Sequence, residues 1–104
     1  MKLYIGAMIA LTLTSCGAAL LIPTDSDVER VVTKFPNYTL AELNEGKQLY
    51  AQNCKKCHGL KKPENYTEAQ WNKIVPPMAQ KAKIDSNQEE LIRKYVITMS
   101  EASQ

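Results

Sequence analysis

Gly46-Lys47-Gln48-Leu49-Tyr50-Ala51-Gln52-Asn53-Cys54-Lys55-Lys56-Cys57-His58-Gly59 is the stretch on which the reading of this chain turns. Just upstream, Thr39-Leu40-Ala41-Glu42 has the spacing of a capping box, and Tyr38 is placed to staple onto Leu43. The helix this opens carries Leu40, Leu43, Gly46, Leu49 and Tyr50 on overlapping faces and is expected to run to about Asn53. It delivers two thiols, three positions apart, and then at once an imidazole.

Cys54-x-x-Cys57-His58 is the pattern of covalent c-type haem attachment. Two cysteines on one tight turn reach the two vinyl groups on neighbouring pyrrole edges and become thioethers. The adjacent His58 then meets the iron from the same side and leaves the opposite coordination position for a second ligand. A redox dithiol with this spacing usually sits in a βαβ context, which the chain lacks. A structural zinc site wants four ligands, and only Cys54, Cys57 and His58 are at hand, His58 being the sole histidine. A plain disulfide is possible in an exported protein, but C-x-x-C closes a strained ring that rarely serves only as a brace.

Two further helices follow. Thr67-Glu68-Ala69-Gln70 is a second capping box, ahead of Trp71, Ile74 and Val75; Pro76-Pro77 is expected to end that helix. Ser86-Asn87-Gln88-Glu89 reads as a third box, before the stripe Leu91, Ile92, Tyr95, Val96 and Met99. No strand alternation or internal repeat appears. The expectation is one small all-α domain. The 104 residues, 44% hydrophobic, bound the core tightly. A domain this small needs a staple, and covalent haem supplies one.

The stretch from Gly46 to Gly59 resembles the N-terminal helix and haem motif of class I cytochromes c, and the resemblance extends over about residues 40–101. It implies a helical domain around haem c. It also implies a crossing of the first and last helices through a small residue and an aromatic, roles that Gly46 and Tyr95 match. Such proteins take a methionine as second axial ligand from between the motif and the last helix. Met78, behind the stiff Pro76-Pro77 pair, is the candidate, and Met99 on the apolar stripe is the alternative. The stretch between His58 and Met78 is shorter than in larger relatives. The resemblance further suggests Pro63 as a carbonyl acceptor for the haem histidine, and Trp71 and Tyr66 as donors to the haem propionates.

The N-terminal part reads differently. Lys2 precedes 20 uncharged residues, Leu3 to Ile22. Leu13-Thr14-Ser15-Cys16 resembles the lipobox of bacterial lipoproteins, in which the cysteine is lipidated after cleavage. The expected organisation is a signal peptide at 1–15, a lipidated N-terminus and linker at 16–37, and a cytochrome c domain at 38–104. Val28, Val31, Val32 and Phe35 form an apolar group able to dock on that domain. The alternative is an uncleaved signal anchor, since 20 uncharged residues are enough to span a bilayer. Either way the domain is exported and held at a membrane in the cell envelope. In the lipoprotein family, Gly17 after the cysteine points weakly to an outer membrane.

Charge is uneven. From Gly46 to Lys83, eight lysines oppose Glu64 and Glu68, a balance of +6, whereas from Ile84 onward the balance is −2. A basic face around the haem can steer encounter with an acidic redox partner. Nucleic acid and small-molecule substrates are not expected. No acid–base pair or nucleophile argues for an enzyme. The expected function is electron carriage; the alternative is a haem sensor with an open or displaceable distal position.

Overall fold

The computed structural model describes residues 20–54 and 60–102. They form four α-helices and one 3-10 turn: α1 (Asp25–Arg30), α2 (Leu40–Asn53), the turn Pro63–Asn65, α3 (Glu68–Ala82) and α4 (Ser86–Ser100). No strand occurs among the described residues, and the all-α expectation holds.

The capping chemistry sets the starts. The Thr39 hydroxyl accepts from the Glu42 N–H at 3.1 Å, and the Thr39 N–H donates in return to the Glu42 carboxylate at 3.2 Å. Thr67 and Gln70 repeat the arrangement at α3. At α4 the box sits one residue earlier than the sequence suggested: Asp85 is the N-cap, and its carboxylate accepts from the Gln88 N–H at 2.8 Å. Asp can serve as well as Ser there, and it also brings a negative charge to the positive end of the helix dipole.

Helices α2 and α4 cross at Gly46. A Cβ built there would lie 2.8 Å from Tyr95 Cβ and closer still to the Leu91 carbonyl oxygen. Only the missing side chain lets the backbones meet, and the expected pairing of Gly46 with Tyr95 is what the structure shows. Helix α3 and the 3-10 turn pack on other faces of α4, and Ile92, Tyr95, Val96, Ile97 and Met99 are all buried.

Two expectations are corrected. Pro76-Pro77 does not end the second helix, because α3 continues through both to Ala82. Both prolines are exposed, so the Asn72 and Lys73 carbonyls that lose their i+4 donors can turn to water. Helix α3 stops instead at Lys83, which adopts the left-handed conformation (φ 57°) while the Ile84 N–H reaches the Ala79 carbonyl at 3.3 Å.

The second correction concerns the linker. From Thr24 onward the segment is part of the domain. Asp27 and Thr24 cap α1, and Val31, Phe35 and Tyr38 lie in the core, while Val32 is exposed. Arg30 Nη2 donates to the Thr98 carbonyl at 2.9 Å. Lys34 bridges Glu101 at 2.8 Å and also Glu68. The cationic ends of Arg93 and Lys94 stack over Phe35 at 5.9 and 5.6 Å. Although burial pushes the Asp27 carboxyl up, hydrogen bonds from the Thr24 backbone and hydroxyl and from Arg30 outweigh it and hold the group below its ordinary range. The apolar docking that the sequence allowed is thus real for Val31 and Phe35, and it is reinforced by polar clamps that no periodicity reveals.

Candidate haem site

Cys54 is the C-cap of α2, its N–H bonded to the Tyr50 carbonyl at 3.0 Å. Its half-buried side chain borders an apolar cleft lined also by Tyr50, Trp71, Val75, Met78, Ala79, Ile84 and Ile92. None of the eight carries a formal charge. Cys54 and Met78 thus border one cleft, although they come from different helices. Met99 is buried in the core and does not line it. Cys57 and His58 lie outside the described residues, as do Cys16 and the whole of 1–19.

Met78 reaches the cleft from inside α3 rather than from a loop. Trp71, Val75, Met78 and Ala79 follow one another at i, i+4, i+7 and i+8, a single helical stripe that continues across the prolines. That periodicity was present in the sequence, masked by the usual meaning of a proline pair. Tyr50, Ile84 and Ile92 were not singled out as site residues. Tyr50 and Ile92 lay on helical stripes that the sequence did show, but only tertiary packing brings those stripes to one cleft.

The polar groups around the cleft are largely committed. Trp71 Nε1 donates to the Pro63 carbonyl at 2.9 Å, and the Tyr66 N–H donates to the same oxygen at 3.2 Å. Both lone pairs of that carbonyl are engaged, which leaves it poorly placed to serve the haem histidine. Trp71 has spent its only donor and is fully buried, so it does not supply a propionate. Tyr66, half-buried, accepts from Lys61 Nζ at 3.2 Å and keeps its own O–H proton for another partner. Tyr50 donates its hydroxyl to the Lys61 carbonyl. These bonds fasten the chain after the motif to α2 and α3.

The Cys54 thiol also bears on the redox-dithiol alternative. Burial pushes its pKa up to about 11. Catalytic dithiols are activated by the opposite shift, because the thiolate is the reacting species. The donor set and the uncharged lining fit a covalently attached haem: sulfur at one wall, thioether at another, aromatic and aliphatic surface between.

Comparison with known proteins bears on the same residues. The family model described as Cytochrome c matches residues 43–104, from the middle of α2 to the end of the chain. No curated protein and no solved structure matches. The matched segment is more than half of the chain and contains the Cys54-x-x-Cys57-His58 motif, both walls of the cleft and the crossing of α2 with α4. This chain belongs to the cytochrome c family, and with it carries a covalently attached haem c, whose iron serves electron transfer.

Proposed function

We propose that the protein is a membrane-tethered, monohaem carrier of single electrons between redox partners in the bacterial cell envelope. In this reading Cys54 and Cys57 form the thioethers, and His58 and Met78 are the axial ligands. Cys16 carries the lipid that holds the domain at a membrane, with the outer membrane favoured. The observation that carries the reading is the shared cleft: Cys54 at the end of α2 and Met78 within α3 border the same uncharged space.

The bound haem supplies reversible one-electron chemistry, its potential raised by histidine–methionine ligation. The chain's own residues do the rest. Tyr50, Trp71, Val75 and Ile92 exclude water and lower the local dielectric. The hydrogen bonds of Trp71 and Tyr50 to the Pro63 and Lys61 carbonyls hold the connecting segment rigid, which keeps the geometry alike in both oxidation states. The lysines before, on and just after α3 (Lys61, Lys62, Lys73, Lys81, Lys83) give this half of the domain a positive field suited to an acidic partner, screened as salt rises. We read the protein as a carrier rather than an enzyme.

The test is the spectrum of the exported protein in both redox states. A haem band surviving denaturing electrophoresis reports covalent attachment. A weak near-infrared band in the oxidised form reports the iron–thioether bond, and Met78→Ala should abolish it. A high-spin oxidised spectrum that Met78→Ala leaves unchanged would favour the sensor reading. Cys16→Ala should release the protein from membranes with its spectrum intact; retention would favour an uncleaved anchor.

A further inference from the structure

Among the described residues, the large hydrophobic side chains that stand exposed all lie in the N-terminal strap, residues 20–38: Leu21 (40% exposed), Ile22 (78%) and Val32 (55%). Apolar residues scattered singly over a surface need no explanation, but their concentration on one short segment does. Leu21 and Ile22 are adjacent, and the chain is fixed on either side of them. Leu20 packs against the core, and Pro23 is buried. The pair is thus presented by the domain itself.

Its place along the chain identifies what covers it. Cys16, the proposed lipid site, precedes Leu20 by four residues. An extended chain spans at most about 3.6 Å per residue, so the two are no more than about 14 Å apart. That is about half the thickness of a bilayer's hydrocarbon core. Acyl chains at Cys16 therefore bring Leu21 and Ile22 within reach of the lipid boundary. Charge does not supply the contact. Asp25 and Glu29 are exposed close by, whereas Arg30 is paired with Asp27, and Lys34 with Glu68 and Glu101. The surface that fits is apolar, not an anionic headgroup.

The strap is fastened to the domain as well. Arg30 holds the Thr98 carbonyl, Lys34 bridges Glu68 and Glu101, and Phe35 lies under Arg93 and Lys94. None of these partners lines the haem cleft, and neither does any residue of the strap. A contact made by Leu21 and Ile22 is passed on to the whole domain and leaves the cleft to a redox partner.

We propose that Leu21 and Ile22 insert into the lipid interface and seat the domain on the bilayer, so that the haem is held at a fixed angle to the membrane instead of swinging on its tether. The proposal rests on the lipid anchor at Cys16 put forward above, to which the apolar pair adds a second, orienting contact.

The experiment is linear dichroism of the haem absorbance, with the lipidated holoprotein in oriented phosphatidylcholine multilayers free of other proteins. The wild type should give a dichroic ratio away from one. The ratio should persist at about 1 M salt, where surface charges are screened within a few ångströms. The double variant Leu21→Ser, Ile22→Ser should stay in the lipid fraction with its haem spectrum intact and give a ratio of one. Both side chains are exposed, so the substitutions spare the core. A wild-type ratio of one, an equal ratio in the double variant, or order lost at high salt overturns the proposal. Order found only in native membranes assigns the pair to a protein partner and overturns it too. Wild-type protein that lipid fails to retain, or an intact mass showing an uncleaved chain, sinks the lipid anchor and the seat with it. A retained, lipid-bearing holoprotein without order sinks this inference alone.

Discussion

At the scale of single residues, Gly46 is the position with the least tolerance. Glycine inside a helix costs about 1 kcal/mol relative to alanine, so an isolated α2 would gain from Gly46→Ala. In the folded domain the added methyl would stand 2.8 Å from Tyr95 Cβ and nearer to the Leu91 carbonyl. That obstacle is backbone, which cannot rotate aside as a side-chain tip can. Overpacking of this kind costs about 1–3 kcal/mol, and here it exceeds the propensity gain. Chemical denaturation of the holoprotein should show Gly46→Ala destabilised by about 2 kcal/mol. Its role was expected beforehand from the resemblance, which implies a small residue on the first helix against an aromatic on the last. The commitments of Trp71 and Pro63 were not, because each depends on a partner eight positions away across a turn.

At the scale of elements, α3 carries the informative anomaly. Proline in a helix interior costs about 3 kcal/mol relative to alanine, yet α3 passes through two of them. Both face solvent, and the flanking Trp71, Val75 and Ala79 are buried. Side-chain burial on one face thus outweighs backbone loss on the other. Pro76→Ala and Pro77→Ala each restore an N–H to the helix ladder, on a face where nothing packs. Each substitution is expected to stabilise the holoprotein by about 1–3 kcal/mol, measured by denaturant titration, with the near-infrared band retained. A loss of stability would mean that the prolines brace the Met78 side of the cleft. The apolar stripe and the proline pair conflicted in the sequence, and local propensity does not say which prevails when tertiary burial is available.

At the scale of the whole molecule, the domain is larger than the family match suggests. The match starts at residue 43, whereas the packed structure already includes Val31, Phe35 and Tyr38. Phe35 is almost fully buried, meets Tyr38 edge-on at 5.7 Å and lies under the cations of α4. Phe35→Ala should destabilise the domain by about 3 kcal/mol, the usual cost of emptying an aromatic site, while leaving the haem spectrum unaltered. Thermal unfolding checks this; a change within about 0.5 kcal/mol, as for an ordinary surface substitution, would return the segment to the status of a spacer. If the tether at Cys16 is real, this packing matters for function, because the chain is fastened to the domain soon after it leaves the membrane.

By itself the sequence determined helices α2, α3 and α4, the capped starts of α2 and α3, and the haem motif. Each of these is written in residues close along the chain, where periodicity and hydrogen-bonding reach are fixed by covalent geometry. Only the tertiary structure decided that α3 outlasts its prolines, that residues 24–38 join the core, and that Met78 shares a cleft with Cys54. Those outcomes are sums over distant partners: apolar area buried against a backbone penalty, or stripes of different helices brought to one cleft.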